Sequence, residues 1–111
     1  MANQIPLIVY PTKDVDKAKK FYSTFLGTEP YMDSPYYVGY KVGDGEVGLD
    51  PHGQALISYI DVDDIEESIN ALKEVGGEVV TPAKDVGGGL KIAQVKDTDG
   101  NVVGFRQHPK K

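Results

Sequence analysis

The sequence predicts an α+β fold of two tandem βαβββ modules, module 1 over about residues 4–52 and module 2 over about 54–107, within a single domain 1–111. Three observations lead there. The chain runs from a branched, apolar strand through an amphipathic helix into further strands, and then repeats that order. A shift of 50 residues lays one round on the other, with Leu7 on Ile57, Tyr10 on Ile60, Asp14 on Asp64, Ala18 on Ser68, Tyr22 on Leu72, Phe25 on Val75 and Gly27 on Gly77. Lastly, Asp97, Asp99, Gly100 and Asn101 cluster residues that tolerate tight-turn angles just before an apolar run, which predicts a reversal near 98–101 and a final strand, Val102 to Gln107.

Each element has its own signal. Residues 4–10 are apolar and branched, with Pro6 near the start and Pro11 as the stop, and read as a buried strand. Asp14 caps a helix whose Val15, Ala18, Phe21, Tyr22, Phe25 and Leu26 recur at helical spacing, with Lys17, Lys19, Lys20 and Ser23 outward and Gly27 ending it. Residues 28–33 give a weak strand broken by Pro30, and Ser34-Pro35 a turn. Residues 36–42 and 46–50 form strands around the Gly43-Asp44-Gly45 turn, and Pro51-His52-Gly53 turns the chain again.

The second round begins at Gln54. A strand runs to Val62, and Asp63 or Asp64 caps a helix with the capping-box partners Glu66 or Glu67. Ile65, Ile69, Leu72 and Val75 form its expected buried stripe, and Gly76-Gly77 terminates it. Residues 78–81 read as a strand stopped by Pro82, Gly87-Gly88-Gly89 as a loop, and 90–96 as the penultimate strand.

Composition excludes several classes. There is no Cys, so disulfide frameworks, thiolate zinc sites and cysteine nucleophiles are ruled out. No stretch approaches the roughly 18 apolar residues of a membrane span, and Met1-Ala2-Asn3-Gln4 lacks the basic and apolar regions of a signal peptide. A cytoplasmic protein that engages no membrane is the expectation. A net charge of -5 and a pI of 4.9 argue against nucleic acid, whose phosphates demand a basic stripe. The basic runs are short: Lys17-Ala18-Lys19-Lys20 on a helix and Lys110-Lys111 at the end.

Specific stretches carry a resemblance. Asp97-Thr98-Asp99-Gly100-Asn101-Val102-Val103-Gly104-Phe105 resembles the closing hairpin of the glyoxalase/bleomycin-resistance/dioxygenase (vicinal oxygen chelate) superfamily, which typically reads Asp-Pro-Asp-Gly-Asn, two apolar residues, a metal-binding Glu and another apolar residue. Val62-Asp63-Asp64-Ile65, Gly76-Gly77-Glu78-Val79, Gly87-Gly88-Gly89 and the helix ending Phe21-Tyr22…Leu26-Gly27 are similar to that family as well, so the likeness spans nearly the whole chain. It implies that the strands curl into a cup-shaped mixed sheet with the helices outside. It also implies four metal slots, on the first and last strand of each module, at Leu7, Gly48, Ile57 and Gly104. An isobutyl group or a hydrogen atom offers no lone pair to a cation. A slip of two residues gives Ile5 or Val9, and Ala55 or Tyr59, which does not rescue the site. No metal, no cofactor and no metal-dependent isomerase, dioxygenase or epoxide-opening chemistry is therefore expected.

What remains is a ligand face. Five of the seven tyrosines, Tyr31, Tyr36, Tyr37, Tyr40 and Tyr59, lie in or beside strands, where ring faces with hydroxyl tips suit planar or amphipathic small molecules, or simply pack. Strand alternation from the slots turns Glu46, Asp50, Tyr59 and Arg106 to the same side. The candidate ligand-binding set is Tyr37, Glu46, Asp50, Tyr59 and Arg106, with the Arg106 fork as the group to orient an anion or carbonyl, or else an ordinary surface arginine. His52 in a Pro-Gly turn and His108 beside Pro109 make poor general bases, and no Ser sits in a nucleophile elbow, so no catalytic residue is assigned. Gly87-Gly88-Gly89 is a rim flap or a plain linker, and not a phosphate loop.

The favoured reading is a metal-independent small-molecule binding protein of the bleomycin-resistance type, sequestering a drug or metabolite and paired as a homodimer through strand edges, as the resemblance implies. An enzyme of the same superfamily, a lyase, isomerase or dioxygenase using a non-standard site, is the alternative. A module that works through its interface is a third.

Overall fold

A computed structural model describes residues 5–109. The first residue of the expected opening strand, the Met1-Ala2-Asn3-Gln4 segment and the Lys110-Lys111 pair lie outside the described residues. The chain divides into two compact units, one over Pro6–Ile57 and one built on Ser58–Lys111.

In the first unit, β1 (Leu7–Pro11) leads into α1 (Val15–Leu26), followed by β2 (Met32–Asp33), β3 (Val38–Val42) and β4 (Gly45–Asp50). The strands lie in the order β2-β3-β4-β1, with β1 parallel to β4 and the other pairs antiparallel. The Asp14 carboxylate accepts from Lys17 N at the helix start, and Gly27 closes the helix with φ 70, a left-handed angle that glycine adopts without a Cβ penalty. Val15, Ala18, Tyr22 and Leu26 pack on Val38, Tyr40 and Leu49, which are fully buried. Each such side chain contributes about 1.5–3 kcal/mol relative to exposure.

The second unit repeats this order with β5 (Ile57–Asp61), α2 (Ile65–Glu74), β6 (Glu78–Asp85), β7 (Lys91–Lys96) and β8 (Val102–Gln107). Its strands run β5-β8-β7-β6, again with one parallel pair, β5 with β8. Asp64 rather than Asp63 is the N-cap, accepting from Glu67 N, and Gln107 Oε1 accepts from Ile65 N, so two of the orphan amides at this end find partners. Ile65 and Ile69 pack on Ala93, Val95 and Phe105.

The fold is α+β with two βαβββ modules, and three local readings need correction. β6 continues through Pro82 to Asp85, because Pro82 lies among register shifts that bulge the strand, where a missing N–H costs no ladder bond. Phe21 and Phe25 have core spacing yet are 64% and 68% exposed. Val75 is 73% exposed, since α2 ends at Glu74 and Val75 is only its C-cap.

Candidate functional site

Strand alternation decides which side chains leave the helix-packed core. In the first unit Val47 and Leu49 pack toward α1, so Glu46, Gly48 and Asp50 take the opposite face of β4, beside Leu7, Val9 and Pro11 of β1, and Gly48, Leu7 and Val9 are buried there. In the second unit Val103 and Phe105 pack toward α2, so Gly104 and Arg106 take the opposite face of β8, beside Tyr59 and Asp61 of β5 and Ile92 and Gln94 of β7, and Gly104, Arg106 and Tyr59 are buried there.

Both glycines are covered by a tyrosine. A Cβ built on Gly48 would overlap the Tyr37 hydroxyl and ring, and one built on Gly104 would overlap the ring of Tyr59, its ladder partner. Neither glycine has a positive φ, so the backbone does not require glycine there and the ring above it does. The Tyr59 oxygen accepts a 2.7 Å hydrogen bond from Gln94 Nε2, whose own Oε1 accepts from Thr81 Oγ1 at 2.9 Å. The phenol is thus set by an amide that a neighbouring strand holds in place.

Around Tyr37, the first unit gathers charge. Tyr31 donates to Glu46 Oε1 at 2.5 Å, and Lys41 Nζ lies 3.5 Å from the same oxygen and 4.8 Å from the centre of the Tyr31 ring. The Tyr31 ring also rests on Gly39. Asp50 shares this face, and its Oδ1 accepts from His52 N at 2.8 Å, pinning the turn.

In the second unit Arg106 is only 9% exposed, and it donates through Nε to Asp61 Oδ1 at 2.7 Å and through Nη2 to Asp61 Oδ2 at 3.3 Å. A two-point ion pair of this kind fixes the guanidinium plane. His108 Nε2 stands 3.4 Å from Asp61 Oδ1 on the outer side.

The structure therefore places Tyr37, Glu46 and Asp50 on the face of the first unit away from α1, and Tyr59 and Arg106, both buried, on the face of the second unit away from α2. Tyr40 goes to the α1 side, bonded to Ser23 and to Lys19 O, and Tyr36 sits in an exposed turn. Tyr31, one of the five strand tyrosines, completes the set with Lys41, Asp61 and Gln94, and these last three are absent from the sequence reading. Asp61 occupies the position two beyond Tyr59 on one strand, which is the signal that could have found it. Gly87, Gly88 and Gly89 form the β6–β7 turn, all with positive φ, closed by Val86 N to Leu90 O, and Gly89 lies against Pro109.

The superfamily's metal does not fit here. Leu7, Gly48, Ile57 and Gly104 supply no donor atom, and phenol rings occupy the space above the two glycines. Among the described residues no three His, Cys, Asp or Glu side chains are grouped to hold an ion.

The comparisons with known proteins agree on the architecture. The profile of the Glyoxalase/Bleomycin resistance protein/Dioxygenase superfamily matches residues 4–105. The candidate glyoxylase CFP32 of Mycobacterium bovis and Mycobacterium tuberculosis is 30% identical over 86% of this chain, and the chain spans 42% of that relative's length. Hypothetical protein BH1468 from Bacillus halodurans C-125 superposes with a TM-score of 0.77 at 17% identity, covering 100% of this chain and 98% of that one. A glyoxalase/bleomycin resistance protein/dioxygenase superfamily member from Vibrio splendidus 12B01 gives 0.72 at 22% identity, covering 91% and 96%. At these identities the two structures speak for the fold alone. No helix among the described residues is long and apolar enough to cross a membrane.

Proposed function

The chain belongs to the glyoxalase/bleomycin resistance protein/dioxygenase superfamily, and on that premise we propose that it binds a small organic molecule on a sheet face turned away from its helices, without a resident metal. One observation carries this reading. The closing-strand positions where the family places metal ligands are glycines, and each glycine supports a tyrosine, Tyr37 on Gly48 and Tyr59 on Gly104. A divalent ion polarises a ligand oxygen as a Lewis acid. A phenol instead offers an apolar ring with one hydroxyl, which holds planar or amphipathic molecules by stacking and hydrogen bonding.

The residues proposed to contact ligand are Tyr37, Glu46 and Asp50 on the face of the first unit, and Tyr59 and Arg106 on that of the second. Ile92 and Val102, both half-buried, supply apolar surface beside Arg106. Tyr31 and Lys41 set the Glu46 carboxylate, Gln94 sets the Tyr59 hydroxyl, and Asp61 sets Arg106. Because Asp61 offsets the Arg106 charge, the preferred ligand is neutral or weakly polar rather than a strong anion. The role that follows is sequestration of an aromatic drug or metabolite.

The test is elemental analysis of the purified protein, thermal melts with Ni, Zn, Mn and Fe(II), and a melt-shift screen of aromatic antibiotics and metabolites. The expected result is no tightly bound ion, no stabilisation by metals, and a hit recovered chemically unchanged. A bound ion with clear stabilisation, or a hit converted to product, overturns this reading and puts a lyase, isomerase or dioxygenase in its place.

A further inference from the structure

The two helices are equivalent by the repeat but opposite in character on one flank. Asp14 and Asp64 cap them identically, so the offset of 50 residues compares them position by position. Phe21 and Phe25 of α1 correspond to Ala71 and Val75, and Lys17 corresponds to Glu67. Alpha-helical spacing puts each pair i, i+4 on one flank. On α1 the two rings stack with centroids 6.4 Å apart and continue a cluster with Tyr22 and Tyr10, yet they stand 64% and 68% exposed. Beside them are the exposed Lys17 and Lys20.

On α2 the same flank is acidic. Ala71, Ser68 and Val62 line a depression of about 410 Å³ together with Asp61, Asp63, Asp64 and Glu67, and Val75 stands outside it, 73% exposed. Helix charges follow the same division. α1 carries Lys17, Lys19 and Lys20 against the single acid Asp16, whereas α2 carries Glu66, Glu67 and Glu74 against the single base Lys73.

We propose that the α1 flank of one copy docks on the α2 flank of a second copy, with Phe21 and Phe25 packing over Ala71 and Val75 and Lys17 and Lys20 facing Asp63, Asp64 and Glu67. Two observations choose the occupant. Exposed rings meet apolar surface at Ala71 and the exposed Val75, and lysines meet carboxylates, both within this one sequence. Two exposed phenylalanines in stacking contact are the kind of aromatic anchor that dominates protein interfaces, and unlike charges at the rim fix register and orientation. This contact does not use strand edges.

The test is sedimentation velocity over a wide concentration series, with circular dichroism melts to confirm that each variant is folded. The native chain is expected to self-associate. F21S/F25S should weaken association by about tenfold or more, as loss of interface aromatics does. K17E/K20E should also weaken it, and adding D63K/E67K to that same chain should restore it, because the reversed charges again match. Rising salt should weaken the native contact and spare less of the lysine contribution. A native chain that stays monomeric throughout overturns the proposal, and so does an oligomer that neither the aromatic nor the charge-reversed variants move.

Discussion

The ring of Tyr59 lies across Gly104, its partner in the β5–β8 ladder, in the space that any Cβ at position 104 would need. Tyr37 covers Gly48 in the same way, although it precedes β3 and is not a ladder partner of Gly48. The two modules reach one arrangement by different routes. What they share is a glycine on the closing strand and a phenol above it, a pattern that a conserved backbone requirement does not explain because neither glycine has a positive φ.

Gly104→Ala is therefore expected to destabilise by about 1–3 kcal/mol through overpacking alone. The same substitution in a Tyr59→Ala background should cost far less, since the overlapping ring is gone. Urea unfolding of the two single variants and the double variant closes the cycle. An equal cost of Gly104→Ala in both backgrounds would show that the ring is not the cause.

Asp61→Ala leaves the buried Arg106 guanidinium without its two-point partner. A cost of about 1–3 kcal/mol is expected for a buried donor stripped of its acceptor, toward the lower end because the Asp61 side chain is 41% exposed and water reaches it. Asp61→Asn, which keeps an acceptor, should cost less. Arg106→Ala, for its part, should lower stability as well as any ligand affinity, since Arg106 is a packed residue and not a surface arm. Equal melts for native, Asp61→Ala and Asp61→Asn proteins would remove this pair from the stability account.

Much of this was legible in the sequence, because helix caps, turn residues and a repeat are local signals. Asp14, Asp64, Gly27 and the Asp97–Asn101 turn announce themselves within four residues of their partners. Alternation likewise put Glu46, Asp50, Tyr59 and Arg106 on the sheet faces away from the helices. Two kinds of fact were not legible. Pairings between residues far apart in the chain, such as Arg106 with Asp61 or Gln94 with Tyr59, follow from strand register, which one sequence does not print. Periodicity also cannot tell a covered helix flank from an uncovered one. Phe21, Phe25 and Val75 have core spacing because they adjoin the core stripe, but they lie beyond its edge. Pro82 misled for a related reason: it stops a central strand and is tolerated in a bulged one.

The closing hairpin makes a prediction about acid. Asp97 Oδ1 accepts from Asn101 N and Asp99 N, both at 2.8 Å, and Oδ2 accepts from Asn101 Nδ2 at 3.1 Å. These bonds favour the charged carboxylate, and its pKa is held below the ordinary aspartate value, first by the Asn101 amide, then by the Asn101 side chain. A carboxylate whose folded pKa is depressed binds its proton more readily in the unfolded chain. It therefore adds stability that is complete above the unfolded pKa of about 3.9 and is lost as pH falls below that value through the folded one. Asp97→Asn keeps an oxygen to accept the same amides but has no charge to lose. The stability gap between native protein and Asp97→Asn should accordingly hold steady near neutral pH and narrow below about pH 4. Urea unfolding of both proteins across the acid range measures this difference, and other carboxylates cancel between them. A gap that stays constant into strong acid would mean that the Asp97 charge contributes nothing to the hairpin.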